Sequence, residues 1–517
     1  MTAINRDHVK AITLGAMCFA LFMANLDDTV VNVALPKIQM SLASNVSGLQ
    51  WILNAYTLAA ASLMLTSGTL GDIYGRKRVF QAGLVIFTIA SLICGFAPSL
   101  TILIVGRTFQ GMGAAALVPS SLAILADTFP EPKEKAKAIG IWSAVSGLAL
   151  LAGPVLGGLL VDILGWQSVF FLNVPLGVIA FGLTSRFVKE VVKPKKQGID
   201  VPGLVLSIIL LASLTYALTE SNAGVWRSPL IVWLLAVAGL SLLAFLIVES
   251  NSSHPMLPPN LFKNPTFTVV NVVSVLIFFT FASLLFLFSL FLQQVQGYSA
   301  TATGMRFLPL NGGFVIASIC SGWFVTRLGS RFTITTGLLI GGVTILLFMR
   351  ISADTDYGAI MWNLFLSGFG SGLTLPALTA AAMSTGPPTQ AGIASAVLNT
   401  SNRLGGVLGV ALQGTILTQG LTSDIRRSLS AWNLSPNLQD RLIANALHGG
   451  AKVPSDLPSS ISELALHQAF SNAFVSGLHT ALLIASVAML AGVFLVLVFV
   501  QPSFNQAVKK SLLTLRK

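Results

Sequence analysis

The sequence predicts an all-α polytopic membrane protein, built as two six-helix bundles with two further membrane helices inserted between them, fourteen in all. Three observations carry that prediction. Charged residues make up 9% of the 517-residue chain and hydrophobic ones 54%, whereas a soluble domain carries about 25% charged residues. Apolar runs of about 20 residues, enough to cross roughly 30 Å of hydrocarbon at about 1.5 Å per residue, recur along the chain. Finally, three short patterns each return eight spans later, as an internal duplication requires.

In order, the spans fall near 11–34, 50–70, 79–97, 101–125, 138–161, 168–187, 201–219, 230–248, 268–292, 305–326, 332–350, 359–381, 395–418 and 478–500. Three units follow: 1–190 as an N-terminal six-helix bundle, 191–260 as the inserted pair, and 261–517 as a C-terminal six-helix bundle with an outside segment at 419–477. The first run is too long for the apolar region of a cleavable signal and lacks a small-residue cleavage site, so it is expected to act as its own insertion signal. An even span count puts both termini on one side. With that side cytoplasmic, Arg76-Lys77-Arg78, Lys133/Lys135/Lys137, Arg186 to Lys196 and Lys509/Lys510/Arg516/Lys517 all lie inside. The short outside loops and span ends then hold only Lys37, Arg227, Arg306 and Arg350, the asymmetry that orients membrane helices. The expected location is a plasma membrane of the bacterial inner-membrane type, with both termini cytoplasmic. The net charge of +12 and pI near 9.8 come from these scattered loop residues. They serve orientation and do not suggest nucleic acid. The segment 419–477 is rich in Ser, Asn, Asp and Pro, and predicts short amphipathic helices, with Ser460-Ile-Ser-Glu463 as a capping box.

The duplication is read from three pairs of segments. Phe109-Gln-Gly-Met-Gly-Ala-Ala-Ala-Leu-Val-Pro119 in span four shares its skeleton with Leu366-Ser-Gly-Phe-Gly-Ser-Gly-Leu-Thr-Leu-Pro376 in span twelve. Gly68-Thr-Leu-Gly-Asp-Ile-Tyr-Gly-Arg-Lys77, after span two, is echoed by Gly322-Trp-Phe-Val-Thr-Arg-Leu-Gly-Ser-Arg331, after span ten. Gly153-Pro-Val-Leu-Gly-Gly158 in span five is echoed by Gly405-Gly-Val-Leu-Gly-Val410 in span thirteen. A single match would be generic small-residue packing between membrane helices. Three matches at one offset favour two repeats, and repeated bundles around a midplane site are the architecture of secondary transporters.

Asp27 and Asp28 sit inside the first apolar run, where a carboxylate costs several kcal/mol unless it is paired, protonated or facing a polar cavity. Neighbouring helical residues are separated by about 100°, so one acid faces the cavity while the other faces a neighbouring helix or the polar entrance. Arg107 in span four lies at a depth similar to Asp27, with Asp27, Asp28, Gln110 or nearby carbonyls as acceptors. Arg403 in span thirteen, beside Asn402, is a second embedded cation. Two placements stay open for it: lining the cytoplasmic half of the cavity, or pairing with helix ends near 68–78. Asp72 with Arg76, Lys77 and Arg78 can form a charge latch, and Gly68 and Gly75 permit a tight reversal. Pro154 removes a backbone donor inside span five, and Gly153, Gly157 and Gly158 allow close packing. The phenylalanines of span nine (Phe278, Phe279, Phe281, Phe286, Phe288, Phe291) are read as lipid-facing or packing surface ahead of a substrate wall. Cys18, Cys94 and Cys320 are read as packing residues, and the five histidines, in loops or near span ends, show no metal-ligand motif.

Four of these segments together resemble the major facilitator superfamily, specifically its fourteen-span drug:proton antiporter branch (EmrB/QacA-like). They are Leu26-Asp-Asp-Thr-Val-Val-Asn-Val-Ala-Leu-Pro36, Gly68 to Arg78, Leu103-Ile-Val-Gly-Arg-Thr-Phe-Gln-Gly-Met-Gly113 and Gly153 to Gly158, in the order and spans of that branch. The resemblance implies a major facilitator fold and no enzymatic activity or cofactor, with a proton gradient as driving force. It implies proton coupling by Asp27, Asp28 and Arg107, with Asp27 the titrating acid and Asp28 supporting it. By the same resemblance Gly68, Asp72, Gly75, Arg76, Lys77 and Arg78 form a cytoplasmic gate, and Gly153, Pro154, Gly157 and Gly158 an antiporter motif. Asn32, Gln110, Asn402 and Arg403 are candidates to line the cavity. The function implied is proton-driven export of lipophilic small molecules, cationic ones included, by alternating access, with accessory export proteins compatible. A dedicated exporter of a metabolite, lipid or siderophore would use the same engine. A membrane-embedded transferase would need an acid–histidine or metal constellation that these histidines do not form. The chain departs from the pattern at Ala149, at Gln167-Ser168, at Thr326 in place of an acid, and in having no carboxylate in span ten.

Overall fold

The computed structural model describes residues 6–190, 200–221, 228–252, 255–257, 259–385, 391–430, 432, 434–449 and 461–501. Lys193, Lys195, Lys196, Arg227, His254, Ser460 and the basic cluster at 509–517 lie outside the described residues. The helices are α1 (Arg6–Ser41), α2 (Val46–Tyr74), α3 (Arg76–Gly95), α4 (Leu100–Thr128), α5 (Pro132–Leu164), α6 (Ser168–Phe171), α7 (Asn173–Phe187), α8 (Val201–Glu220) and α9 (Pro229–Asn251). They continue as α10 (Pro265–Leu290), α11 (Ala300–Arg306), α12 (Leu308–Leu328), α13 (Ser330–Leu347), α14 (Tyr357–Met383), α15 (Ala391–Ser430), α16 (Pro436–Leu447) and α17 (Glu463–Phe499).

Among the described residues, thirteen helical stretches are long and apolar enough to cross a membrane. The expected second span is α2, whose 29 residues also suffice in length; its Gln50, Asn54, Tyr56 and Thr57 lower its mean hydropathy. Two expected spans are each split in two. Span six breaks at Leu172 between α6 and α7, because Pro175 cannot donate to the carbonyl four residues back. Span ten breaks at Phe307 between α11 and α12, where Pro309 has the same effect.

Helix–helix packing repeats between the two parts of the chain. In the first part α1 packs on α5 and α7, α4 on α2 and α3, and α3 on α7. In the second, α10 packs on α15 and α17, α14 on α12 and α13, and α13 on α17, which is the same set of pairings. The glycines of the repeated segments serve equivalent contacts. A Cβ at Gly111 would lie 2.2 Å from the Tyr56 carbonyl of α2, and one at Gly368 would lie 1.8 Å from the Leu310 carbonyl of α12. One at Gly113 would meet the Gly83 carbonyl of α3, and one at Gly370 the Gly337 carbonyl of α13. Gly75 (φ +105°) and Gly329 (φ +84°) each make the one-residue reversal after their second helix, in backbone geometry that favours glycine.

The parts meet on the face opposite the termini. Gln50 of α2 donates to the carbonyls of Val410 (2.8 Å) and Ala411 (2.6 Å) in α15. Ser289 and Gln293, from α10 and the π-helical turn that follows it, donate to the Asn32 and Val33 carbonyls of α1 at 2.6 and 3.0 Å. Asp162 of α5 accepts from the Thr301 amide of α11 at 2.8 Å. Toward the termini α5 keeps to its own half, where Glu134 pairs with Lys10, Ser146 accepts from Asn25 and Trp142 donates to Ser121; between 133 and 148 its one buried residue among those described is Ala138, whereas Ala149, Gly153, Pro154, Gly157 and Gly158 are all buried. These hydrogen bonds between the two parts of the chain therefore cluster on the far face.

The segment 419–477 is more helical than expected. Helix α15 continues to Ser430 and α17 already begins at Glu463. Between them α16 is the expected short amphipathic helix, burying Leu438, Leu442, Ile443 and Ala446. Gln39 of α1 donates to its last carbonyl, Leu447, at 2.9 Å. The capping box starting at Ser460 is corrected, because the N-cap is Ser462, which accepts from the Ala465 amide at 3.1 Å, so Glu463 opens the helix. Cys320 also departs from expectation: it is exposed on α12 and does not pack in the interior. The phenylalanines of α10 and of the turn after it form packing surface, with Phe286, Phe288 and Phe291 fully buried.

Candidate functional site

Asp27, on α1, has a side chain with no exposure to solvent, and that of Arg107, on α4, is 1% exposed. The two form a direct ion pair between Arg107 Nη1 and Asp27 Oδ2. The other carboxylate oxygen, Oδ1, accepts from Asn173 Nδ2 of α7 at 2.8 Å and from Gln110 Nε2 at 3.2 Å. Arg107 also donates from Nε to the Ile52 carbonyl of α2 at 3.1 Å and from Nη1 to Gln110 Oε1 at 3.0 Å. The Tyr56 ring lies 4.3 Å from its guanidinium carbon, and Gln110 is itself held by Ser91 of α3 at 2.8 Å. A buried ion pair offsets its desolvation better the more of its remaining donors and acceptors are engaged, and here both carboxylate oxygens, Nε and Nη1 are. Five helices of the first half, α1, α2, α3, α4 and α7, thus contribute a side chain to this network, and α2 adds a backbone carbonyl as well.

Asp28 points elsewhere, as the helical geometry requires. It pairs with Arg403 of α15, in the other half of the chain, and both side chains keep partial exposure (25% and 20%). Of the two placements left open for Arg403, pairing with helix ends near 68–78 is therefore not what the structure contains. Asn32, one turn on, donates to the Asp28 carbonyl at 2.9 Å and is 6% exposed. Asn402 bonds to Ser274 of α10 through its side chain. The two adjacent aspartates thus serve two distinct pairs, one sealed within the first half and one bridging the halves beside it.

The segment 68–78 is not a loop through most of its length. Helix α2 runs to Tyr74 and α3 starts at Arg76, leaving only Gly75 as the turn. Arg76 binds Asp72 (2.8 Å) and Asp127 (2.7 Å) and donates to the Ala123 carbonyl of α4 at 3.1 Å. Glu190 accepts the backbone amides of Lys77 and Arg78, both at 3.1 Å, and so caps α3. Lys77 Nζ donates to the Ser185 carbonyl at 2.9 Å. These bonds all stay within the first half. Among the described residues nothing lies within 4 Å of a Cβ built on Gly68, so its expected steric role is not exercised here. By contrast, a Cβ on Gly75 would lie 2.6 Å from Glu190 Oε1.

The glycines of α5 hold it between two helices. A Cβ at Gly153 would lie 1.8 Å from Thr29 Oγ1, and one at Gly157 would lie 3.0 Å from the Val30 backbone, both on α1. One at Gly158 would lie 2.4 Å from the Ala300 carbonyl at the start of α11, and one at Gly304 of α11 would lie 2.0 Å from the Pro154 carbonyl. This stretch therefore belongs to the face where the two parts meet. Sequence reasoning missed Asn173, Tyr56, Ser91, Gln50 and Glu190. Each is an ordinary polar residue near a span, and nothing in its local pattern reports which distant group it meets. It also took Cys94 for packing alone, whereas its Sγ lies 3.4 Å from Gln110 Oε1.

Comparison with known proteins agrees with this architecture. The Major Facilitator Superfamily profile matches residues 17–410. The multidrug resistance protein Stp of Mycobacterium tuberculosis is 35% identical over 95% of this chain and 91% of its own length. The methylenomycin A resistance protein of Streptomyces coelicolor is 34% identical over 80% and 86%. The tetracenomycin C resistance and export protein of Streptomyces glaucescens is 32% identical over 93% and 90%. Among solved structures, a bacterial homologue of the human lysosomal transporter Spinster, inward-facing and unoccupied, superposes with a TM-score of 0.66 at 17% identity, covering 96% of this chain and 99% of that one. That likeness speaks for the fold alone. With a family match over most of its length and relatives above 30% identity along nearly all of it, this chain is a member of the major facilitator superfamily, a multi-pass membrane transporter of small molecules.

Proposed function

We propose that this transporter is a proton-driven efflux pump that exports lipophilic small molecules, cationic ones included, by alternating access. The observation that carries the reading is the side chain of Asp27, wholly buried in its network with Arg107, Gln110 and Asn173, next to an Asp28–Arg403 pair that spans the halves. A carboxylate held this way releases or takes a proton only when its partners move, and the cross-half pair links that movement to rocking of the bundles. The drug-resistance and export names of its relatives support efflux as the direction.

In this reading residues 1–190 and 261–517 are the rocking bundles and 191–260 the inserted pair. Both termini lie in the cytoplasm, in a plasma membrane of the bacterial inner-membrane type. The arrangement described above is then the inward-open state, with the Gly153–Gly158 stretch sealing the outside. Asp72 and Arg76 form the cytoplasmic gate, parted from the second half in this state.

The test is active transport in proteoliposomes under an imposed pH gradient. Uphill substrate movement should require the gradient and should be abolished in Asp27→Asn, which keeps size and polarity but cannot exchange a proton. Membrane insertion should persist. Uphill transport indifferent to both the pH gradient and the membrane potential would refute proton coupling, and unimpaired transport in Asp27→Asn would remove Asp27 from it.

A further inference from the structure

The inserted pair carries a second buried carboxylate cluster, on the termini face and unconnected to the Asp27 network. Asp200 precedes α8 and caps it, accepting from the Gly203 amide through Oδ1 at 2.9 Å. Glu249, near the end of α9, accepts from the Leu257 amide through Oε2 at 3.1 Å, fastening the linker that leads toward α10. Each acid thus has one oxygen committed to a backbone donor. The other two oxygens, Asp200 Oδ2 and Glu249 Oε1, are buried and have no hydrogen-bond partner among the described residues. They converge on one point: a Cβ placed on Gly203 would lie 2.8 Å from the first and 3.0 Å from the second. The residues are 8% and 2% exposed.

Two carboxylate oxygens this close and this deeply buried, each without a donor, make a pocket that a positive charge between them would complete. We propose that Asp200 and Glu249 form a cation site, holding one positive charge, a proton or a small hard metal ion, in the space left open by the missing side chain of Gly203. The two free oxygen ligands call for it, and the backbone amides of Gly203 and Leu257 keep both carboxylates aimed at that space. Among the described residues no group of three or more His, Cys, Asp or Glu gathers anywhere. The pair therefore suits a shared proton or a partly hydrated ion better than a fully caged divalent metal, which takes six or more oxygens. The bound charge ties the start of α8, the end of α9 and the linker into one unit. The site stands apart from the transport reading, since it requires nothing of Asp27.

The experiment uses the full-length transporter in detergent, with wild type, Glu249→Gln, Asp200→Asn and Asp27→Asn. Both inserted-pair substitutions keep the backbone acceptor and shape while removing one charge. Infrared spectra at neutral pH are read for the carbonyl stretch of a protonated carboxyl. Melting midpoints are read against added sodium, potassium and calcium chloride at constant ionic strength. A protonated-carboxyl band that Glu249→Gln or Asp200→Asn removes and Asp27→Asn retains identifies a proton as the bound charge. Absence of such a band, with a cation-dependent rise of a few degrees in the midpoint that both inserted-pair substitutions abolish, identifies a metal ion. A wild-type protein with neither the band nor the cation dependence overturns the proposal, and so does either signal surviving unchanged in both Glu249→Gln and Asp200→Asn.

Discussion

Replacing Asp27 by Asn and Arg107 by Leu, singly and together, tests whether their pair is one energetic unit. Asp27→Asn leaves Arg107 buried with the Ile52 carbonyl, Gln110 Oε1 and the Tyr56 ring as remaining partners. Removing one partner of a buried pair costs about 3–5 kcal/mol, and these surviving contacts place this variant near the lower end. Arg107→Leu strips Asp27 Oδ2 of its ion-pair partner while Oδ1 keeps Asn173 and Gln110, so its loss falls nearer the upper end. The double variant leaves no unpaired charge, and the fold tolerates the exchange: Leu364 holds the corresponding place in the second repeat and is fully buried. Replacing a whole buried pair by neutral groups is often close to neutral, so the double variant should lose only about 1–2 kcal/mol, well short of the summed single losses. Melting midpoints of the four purified proteins in one detergent measure this directly. Strictly additive losses, or a wild-type midpoint in Asp27→Asn, would show that the pair is not the unit described here.

Asp72→Asn leaves Arg76 bound to Asp127, so the protein should fold; removing one charge from the gate should shift cysteine labelling between the two vestibules while substrate-induced proton release persists. Loss of proton release with unchanged labelling would instead place Asp72 in the coupling chemistry. Gly158→Leu drives a side chain into the Ala300 backbone, 2.4 Å from the Cβ position, and should part α5 from α11. Single cysteines along α11 should then react faster with a membrane-impermeant maleimide, and unchanged reactivity would count against α5 as the seal. Arg403→Gln breaks the cross-half pair with Asp28. Because both side chains are partly exposed, the cost should be modest, about 1 kcal/mol or less. It should appear as a shifted balance between open states in distance measurements across the halves, with little change in melting midpoint.

The sequence by itself determined the membrane class, the repeat and which charged residues lie inside the apolar runs, because each is a local or periodic property. Apolar runs report burial in lipid through their length alone. Duplicated glycines report close helix contacts, and Gly111 with Gly368 and Gly113 with Gly370 do make equivalent ones. Asp27, Asp28 and Arg107 stood out because charge at bilayer depth is costly wherever it occurs. Adjacent aspartates had to diverge, since the helix turns them apart. Which partner each would find was not determined at that level. Arg403 lies 375 residues from Asp28 in sequence, and only the docking of α15 beside α1 decides that they meet. The same holds for Asn173 at the Asp27 carboxylate and for Gln50 on the Val410 and Ala411 carbonyls, whose roles arise from helices far apart in sequence that only packing brings together. Helix ends moved for a related reason: α15 and α17 continue beyond their apolar stretches because tertiary neighbours and the capping of Ser462 sustain them where hydropathy no longer does. Hydropathy marks where lipid must be satisfied, whereas the outcome for each polar group depends on which neighbours packing brings within a hydrogen bond's reach.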